Sequence, residues 1–349
     1  MSLIDSGNAV IIIKKIKDGT VQLHSLIPSF FVLGSDKMFD MHHDLLSIMY
    51  YSRYILNDCS FLNKWLKDFN SDNVSGLIAN LYFMNPEEMK HEIGENEINV
   101  VDMFKKSTEM FKELLPNTKV IFSIEGCDYI SGPDELEELY NFGLRNILLV
   151  WNSPNKYGSG NRAEYGLTPA GKEFLIKAID LGISIDMSHM NRNTFFDTIN
   201  LIKEQKELGK EVKVIASHSN TKKYCSHIRG LEDDQIKALR EVDGILGLVG
   251  FVPFIKDEDN EKDPKDVYLK HIQHAIDLMD IDHVGISTDD MVFSTELFGD
   301  YYGDMLFKHE TVKRNLVDLL KTKFNDKDVY KLLYENVNNK LLRSNDERS

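Results

Sequence analysis

The sequence predicts an α/β protein whose main fold is a (β/α)8 TIM barrel, and two observations support this fold. From about residue 37 onward, short apolar runs rich in β-branched residues alternate with longer helical stretches, which is typical of a parallel sheet with crossover helices. Metal-type side chains follow several of these runs. In the alternative fold, an open doubly wound sheet, functional residues gather at one switch point, so their spread over many strand ends favours the barrel.

Eight apolar runs are predicted strands, at intervals of roughly 25 to 45 residues, and eight is the number that this barrel requires. One intervening helix has clear boundary signals, because Thr168 can cap its start, Pro169 suits its first turn and Gly182 can end it. The predicted strands are residues 37–41, 76–83, 120–124, 146–150, 183–187, 212–216, 245–249 and 283–287.

The N-terminal segment has a different pattern. Residues 8–15 and 20–26 are rich in β-forming side chains and are separated by the turn-like sequence KDGT, so they predict a β-hairpin. We expect residues 1–30 to form this small N-terminal hairpin extension and residues 31–349 to form the barrel.

Composition excludes some classes of function. The formal net charge is −15 and the sequence contains no stretch rich in lysine and arginine, which argues against nucleic-acid binding. The three cysteines are widely separated and odd in number, so neither a disulfide framework nor a CxxC metal site is predicted. The apolar run near the start is too short for a signal peptide or a membrane span. We therefore expect a cytoplasmic protein that acts on small molecules and does not bind membranes.

A histidine and an aspartate follow the first predicted strand. Alternation along a strand sends the side chains of His42 and Asp44 to the same face, where they can hold one divalent ion, whereas His43 points the other way. Glu125 follows the third predicted strand and precedes Gly126. Its two carboxylate oxygens can bridge two cations a few ångströms apart, as two-metal hydrolysis requires.

Three more candidates follow later strands. His189 and His218 each come after an apolar run with a serine directly before them, and imidazole nitrogen suits zinc and related ions. Either histidine alone is interpreted more simply as a helix cap or a hydrogen-bonded core residue, but the whole set favours a metal site. Asp289 follows the eighth strand, where an acid can accept a proton from an activated water and deliver it to a leaving amine.

Taken in order, these motifs resemble those of the membrane (renal-type) dipeptidase family, peptidase M19, in the amidohydrolase superfamily of barrels. The resemblance spans about residues 37 to 342. The histidine motifs, in order and preceded by the H-x-D pair and the E-G pair, are fairly specific. The segments that carry the resemblance are DMHHDLL, SIEG, GLTPAGKEFLIKAIDLGISIDMSH, ASHSN, HIRGLEDD, HVGISTDD and YENVNNKLLR.

The resemblance implies a metal-dependent hydrolase that cleaves the amide bond of dipeptides and holds two divalent metal ions, zinc in the family, in one barrel. Mixed histidine and carboxylate ligands also accept manganese, iron or cobalt, so the residues themselves leave the metal open. By motif match, His42 and Asp44 are ligands of the first ion, His189 and His218 are ligands of the second, and Glu125 bridges the two.

The same resemblance implies roles in substrate binding and catalysis. Asp289 matches the acid/base aspartate of the family, and Arg229 in HIRG matches the arginine that binds the free carboxylate of the substrate. A guanidinium group pairs with a carboxylate through two parallel hydrogen bonds, which suits that role. The alternative for Arg229 is a surface arginine that caps a turn. The resemblance also suggests a homodimer.

One position departs from the family pattern in a way that concerns the substrate. The family usually has Leu-Thr-His-Asn after the fourth strand, and its histidine is assigned to polarising the scissile carbonyl or binding the transition state. This chain reads LVWN, so Trp151 takes that place in the substrate-binding site. A donor to the developing oxyanion is typically worth about 10² to 10³ in rate. Two alternatives therefore stay open: an amidohydrolase acting on another small amide or ester, such as an N-acyl amino acid or a lactone, and a metal-binding homologue that has lost catalysis.

Overall fold

A computed structural model describes residues 2–5, 9–15, 21–28, 37–71, 74–83, 98–289, 305–307 and 312–342, the first three segments by their backbone alone. The N-terminal segments form a three-stranded antiparallel sheet separate from the main one. The predicted hairpin corresponds to its second and third strands, and a short first strand pairs with the second. The division into an extension and a barrel domain stays a prediction. The three strands are β1 (Ser2–Asp5), β2 (Ala9–Lys15) and β3 (Val21–Pro28).

The main sheet has eight parallel strands, each hydrogen-bonded to the next strand in chain order. Each predicted strand overlaps an observed one, and the predicted (β/α)8 barrel is confirmed. The strands are β4 (Phe39–His43), β5 (Gly76–Tyr82), β6 (Lys119–Glu125), β7 (Leu144–Leu148), β8 (Ser184–Asp186), β9 (Val214–Ala216), β10 (Ile245–Val249) and β11 (Val284–Ser287).

Helices follow the strands and cover the outside of the barrel. The predicted cap is observed, because the Thr168 side chain accepts a hydrogen bond from the backbone N–H of Gly171 at 3.0 Å. No helix within the described ranges is both long and apolar enough to cross a membrane. The helices are α1 (Leu45–Tyr50), α2 (Ser60–Ser71), α3 (Val100–Leu114), α4 (Pro133–Asn141), α5 (Pro169–Asp180), α6 (Arg192–Glu207), α7 (Asp233–Glu241), α8 (Val252–Ile255), α9 (Pro264–Met279), α10 (Val312–Lys321) and α11 (Asp326–Tyr330).

The first and last barrel strands meet at a seam near their carboxyl ends. The backbone N–H of Asp289 donates to the carbonyl oxygen of His42 at 3.1 Å. The buried Asp40 carboxylate accepts hydrogen bonds from the backbone N–H of Thr288, at 2.9 Å, and from the Thr288 hydroxyl. These bonds join β4 to the segment that follows β11, so residues from the two ends of the barrel sequence share one site.

Apolar side chains fill two separate cores. The larger one lies between the strands and the surrounding helices, and the smaller one lies inside the barrel. The C-terminal segment, residues 326–342, contributes three side chains to the inner core. Lys119, the first residue of β6, donates a hydrogen bond from its Nζ to the hydroxyl of Tyr334 in this segment at 3.4 Å. The C-terminal segment therefore closes the amino-terminal end of the barrel and leaves the opposite end for the site. The inner core contains Phe39, Met41, Ile78, Ile121, Ile215, Ile245, Tyr334, Val337 and Leu341.

Candidate active site

The six candidate residues from the sequence lie together at the carboxyl ends of five strands. Functional groups in (β/α)8 enzymes occupy this end of the barrel because the loops that follow the strands converge there. Two of the residues, His189 and Asp289, have positive backbone φ angles of 69° and 52°. The six are His42 in β4, Asp44 just after it, Glu125 at the end of β6, His189 after β8, His218 after β9 and Asp289 after β11.

The Glu125 carboxylate stands between two groups of side chains. Its Oε2 lies 3.1 Å from His42 Nε2, and its Oε1 lies 2.8 Å from His189 Nε2 and 3.6 Å from His218 Nε2. On the first side, His42 Nε2 is 3.7 Å from Asp44 Oδ1 and 3.7 Å from Asp289 Oδ1. One carboxylate thus faces two sets of donor atoms with different oxygens, which is the geometry of a bridging ligand.

The donor atoms fit divalent cations. Ligand atoms lie within 4.8 Å of one another in three sets: His42 with Asp44 and Glu125, Glu125 with His189 and His218, and His42 with His218 and Asp289. Within the described part of the chain, His42 Nε2, Asp44 Oδ1 and Glu125 Oε1 are buried and make no hydrogen bond. A buried polar atom without a partner typically costs about 1 to 3 kcal/mol. A cation beside His42 and Asp44 would satisfy the first two atoms, and a second cation beside His189 and His218 would satisfy Glu125 Oε1.

Each of the three histidines has a polar partner at its other ring nitrogen. His42 Nδ1 and His218 Nδ1 lie 3.1 and 2.9 Å from Ser217 Oγ, and His189 Nδ1 lies 2.9 Å from Asn152 Oδ1. Such partners orient a ligating imidazole and fix its tautomer. All three Nε2 atoms are therefore turned toward Glu125. We did not predict the supporting residues from the sequence, although Ser217 stands directly before a candidate ligand and Asn152 directly after Trp151.

Electrostatics separates the site residues into charged and neutral groups. Burial alone would raise the pKa of the Glu125 carboxyl, but the attraction of His42, together with the close contact of His189 Nε2 with the carboxylate, outweighs burial and holds the pKa well below its usual range. Burial lowers the pKa of His189 to about 3, with a further contribution from Arg229. Burial likewise holds the pKa of His218 well below its usual range. These two imidazoles are therefore neutral at neutral pH, and neutral imidazole is the form that binds metal ions.

Asp289 lies at the mouth of the site and is the most exposed of the carboxylates near His42, with 15% of its side chain accessible compared with 6% for Asp44 and 3% for Glu125. Burial raises the pKa of Asp289, and the Glu125 carboxylate raises it further, whereas His42 opposes the rise. A raised pKa suits a carboxylate that accepts a proton and later gives it up. Asp290, the next residue, lies outside the described residues.

Arg229 is buried beside the site, which excludes the alternative of a surface arginine. Its Nη2 donates to the backbone oxygen of His218 at 3.3 Å, while its Nε and Nη1 make no hydrogen bond to any described residue. Burial lowers the pKa of the guanidinium to about 10, so it remains charged at neutral pH. A pocket of about 420 Å³ adjoins it, lined by both Arg229 and His189. This buried cation with unused donors fits a ligand carboxylate.

Trp151 lies next to the second group of side chains. Its ring is stacked on the ring of His189, with centroids 5.9 Å apart and planes inclined by 29°. The guanidinium carbon of Arg162 lies 5.7 Å from the centroid of the Trp151 ring. The indole therefore occupies space beside a candidate ligand.

A (β/α)8 barrel that gathers histidines and carboxylates at the carboxyl ends of its strands defines the class of metal-dependent hydrolases. The model for membrane dipeptidase, peptidase family M19, matches residues 76–344. Because this match covers most of the chain, the chain belongs to peptidase family M19, a family of metallo-dipeptidases. The matched region contains Glu125, His189, His218, Arg229 and Asp289, and it begins after His42 and Asp44.

The curated relatives are distant and are matched over part of their length. An uncharacterized protein in the PQQ-III 3' region of Acinetobacter calcoaceticus is 32% identical over 136 residues, which is 36% of this chain and 41% of that protein. Dipeptidase aclJ of Aspergillus oryzae is 24% identical over 229 residues, which is 59% of this chain and 52% of that protein. The chain thus matches about half or less of the length of these two relatives.

Solved structures with a similar fold match a larger share of the chain than the curated relatives do. The crystal structure of a metallopeptidase from Rhodobacter sphaeroides, liganded with a phosphinate mimic of the dipeptide L-Ala-D-Ala, superposes with a TM-score of 0.66 and 20% identity. The superposition covers 88% of this chain and 99% of that one. At this level of identity the likeness establishes the common fold.

Proposed function

We propose that this protein is a dipeptidase that uses two divalent metal ions, zinc being the expected metal, to hydrolyse the amide bond of a small substrate with a free carboxylate. The observation that carries the proposal is the placement of Glu125, whose two oxygens face separate groups of buried donor atoms. His42 and Asp44 would hold the first ion, His189 and His218 would hold the second, and the Glu125 carboxylate, which faces both sets, would serve both. When bound, the ions activate water and stabilise the negative charge that develops on the carbonyl oxygen.

The side chains around the ions have separate tasks. Asp289 accepts the proton of the attacking water and delivers it to the leaving amine, a role supported by its place at the mouth of the site and by its raised pKa. Arg229 binds the substrate carboxylate with its free Nε and Nη1 donors and so fixes the position of the scissile bond. Family membership supports the amide bond of a dipeptide as the target.

The proposal is tested by assaying the metal-reconstituted protein with L,L and L,D dipeptides and with the same dipeptides amidated at the C-terminus. We expect dipeptides to be hydrolysed, with kcat/KM about 10- to 100-fold higher than for the amidated forms, because hydrogen bonds to charged groups contribute about 1.5 to 3 kcal/mol. In the Arg229→Gln variant this preference for the free carboxylate should disappear. Equal rates for both forms in the wild type would contradict the role of Arg229.

The matched test of catalysis is Asp289→Asn, which removes the proton acceptor and keeps the shape of the side chain. We expect kcat to fall by about 10² to 10⁴, the usual contribution of general acid–base catalysis, while the bound metal content is unchanged. Full turnover with normal metal content would reject the proton-transfer role of Asp289.

A second candidate function follows from Trp151, whose ring occupies the space beside His189. A reshaped pocket favours a different acyl group, so N-acyl amino acids and lactones belong in the same assay. Faster hydrolysis of an N-acyl amino acid than of every dipeptide would favour this alternative. Stoichiometric metal without turnover of any substrate would favour a homologue that binds metal and has lost catalysis.

A further inference from the structure

We propose that Ser217 is a positioning residue that holds one histidine from each pair of metal ligands and so couples the two ion sites. The inference rests on the ligands assigned in the proposed function and is independent of the identity of the substrate. Ser217 is completely buried. It therefore has no access to substrate and acts through the side chains that it contacts.

The two histidines concerned lie against each other although they serve different ions. The rings of His42 and His218 have their centroids 3.7 Å apart, with planes inclined by 39°. Ser217 Oγ lies behind both rings, 3.1 Å from His42 Nδ1 and 2.9 Å from His218 Nδ1. A single hydroxyl thus contacts the first ligand set through one ring and the second ligand set through the other.

Hydrogen-bond stoichiometry fixes the direction of these contacts. When His42 and His218 bind ions through Nε2, each neutral imidazole carries its proton on Nδ1 and becomes a donor there. A serine hydroxyl has two acceptor positions and one donor. Ser217 Oγ can therefore accept from both imidazoles at once, but only if its own proton points to a third group.

Asp186 provides that third group. Its Oδ1 accepts hydrogen bonds from the backbone N–H groups of Ser217 and Ser188, both at 3.0 Å, which fixes the buried carboxylate beside the hydroxyl. Its Oδ2 is buried and makes no hydrogen bond to a described residue, so it is an acceptor that the Ser217 hydroxyl proton can use. The result is a branched chain in which two imidazoles donate to one hydroxyl and the hydroxyl donates to one carboxylate.

Two other residues support a single histidine and offer matched controls. The amide of Asn80 lies 3.1 Å from His42 Nδ1, and its Oδ1 is buried without a partner among the described residues. A half-turn of the amide places this second acceptor against the ring, and the one Nδ1 proton of His42 is then shared between Asn80 Oδ1 and Ser217 Oγ. Asn152 Oδ1 lies 2.9 Å from His189 Nδ1. Asn80 therefore serves the first ion alone and Asn152 serves the second alone, whereas Ser217 serves both.

The test is a Zn²⁺ titration of the metal-free full chain in competition with a chromophoric chelator, which resolves the affinity of each binding step. Removing a partner of a ligating histidine typically costs about 10- to 100-fold in metal affinity. We expect Ser217→Ala to weaken both steps by this factor. We expect Asn80→Ala and Asn152→Ala to weaken one step each, and not the same step.

An effect of Ser217→Ala on one step alone, or on neither, would overturn the proposal. The metal titration also separates this proposal from the proposed function, because Zn²⁺ affinities remain measurable in a protein that hydrolyses no dipeptide. If the wild type showed neither Zn²⁺-binding step, the assignment of the metal ligands would instead be rejected.

A second measurement on the wild type keeps the proposal testable when Ser217→Ala does not fold. Nitrogen–proton correlation spectra of the Zn²⁺-loaded protein report the tautomer of each imidazole. We expect His42 and His218 both to carry a slowly exchanging proton on Nδ1. Detection of either ring with its proton on Nε2 would contradict the proposal, because the Nδ1 of that ring then has no proton to donate to Ser217.

Discussion

At the scale of single residues, two members of the site adopt a backbone conformation that is unfavourable for them. His189 and Asp289 have φ angles of 69° and 52°, in the left-handed region that residues with a Cβ atom rarely occupy. Such conformations typically cost about 1 to 3 kcal/mol and persist where the surrounding structure fixes them. At Asp289 the backbone N–H is fixed to the carbonyl of His42. Some folding stability is therefore used to orient site residues.

Trp151 is the residue for which sequence and structure together make a specific prediction. Its ring is stacked on His189, so we interpret it as a packing residue and not as the donor to the developing oxyanion. We expect Trp151→Phe, which keeps an aromatic ring and removes the indole N–H, to change kcat for the best dipeptide by less than about threefold, because the aromatic contact with His189, worth about 0.5 to 1.5 kcal/mol, is retained. Steady-state kinetics of the metal-loaded variant provides the measurement.

The opposite outcome for Trp151 is equally informative. A fall in kcat of about 10² to 10³ with unchanged KM is the signature of a lost oxyanion donor. Such a result would assign the indole N–H the role that the family gives to histidine. Trp151→Leu serves as the control that removes the ring as well.

The candidate ligands could be predicted from the sequence because they directly follow strands, and strand ends are visible as breaks in apolar runs. Their supporting residues could not be predicted in the same way. Ser217 and His42 are separated by 175 positions, and Asn80 and His42 by 38. Contacts between such distant positions depend on strand order and register, which the local pattern does not contain.

At the scale of elements, strand centres could be predicted more reliably than strand ends. The predicted strand 183–187 corresponds to an observed strand of only three residues, Ser184–Asp186. The chain stops pairing with its neighbours after Asp186 and turns at His189, whose φ is 69°. The short first strand of the N-terminal sheet was not predicted, since four residues carry too little pattern. Helix α5 was predicted well, because a capping threonine, a proline and a glycine are local signals.

The turn after β6 gives a prediction about an element that carries a ligand. Gly126 follows Glu125 with φ of +84°, and a Cβ atom there would lie 2.3 Å from the backbone oxygen of Phe83. We expect Gly126→Ala to lower the free energy of unfolding by about 2 to 4 kcal/mol, the sum of left-handed strain and overpacking. Urea unfolding of the metal-free protein measures this value.

Gly182 provides the matched control for that measurement. It also has a positive φ, of +75°, but an added Cβ atom would meet nothing within 4 Å. Gly182→Ala should therefore cost only the conformational strain, about 1 to 2 kcal/mol. Equal losses for the two variants would show that the backbone at Gly126 moves to accommodate a side chain.

At the scale of the whole molecule, a buried histidine remote from the proposed ions makes stability depend on pH. His271 in α9 accepts a hydrogen bond from the backbone N–H of Thr221 at 3.1 Å and donates to the carbonyl oxygen of Ile255 at 2.7 Å. Burial lowers the pKa of His271 to about 4. From about pH 6.5 down to about pH 4, the unfolded chain holds a proton that the folded chain lacks, so stability falls as the pH falls.

We expect this single group to remove about 2 kcal/mol of unfolding free energy between about pH 7.5 and pH 5. The measurement is urea unfolding of the metal-free protein at both pH values, compared with His271→Gln, which keeps polar atoms and does not titrate. The wild type should lose about 2 kcal/mol more than the variant over this range. Identical pH dependence in the two proteins would exclude His271 as a cause.

The barrel as a whole was predictable because eight alternating runs leave few other topologies, and the position of the site followed from the fold. Homodimer formation and location in the cytoplasm stay predictions from the sequence and the family resemblance. The particular substrate was not predictable, because the departure at Trp151 changes the pocket while the metal-type residues are retained.

The seam between β4 and β11 has a consequence for how the protein is made. The Thr288 contacts to Asp40 become available only when the ribosome has added 248 residues after Asp40, and Asp289 follows directly. A nascent chain released before that point lacks the strand that completes the barrel and the acid that faces His42. Truncated products therefore cannot hydrolyse peptides by the proposed mechanism, which requires β4 and the segment after β11 in the same molecule.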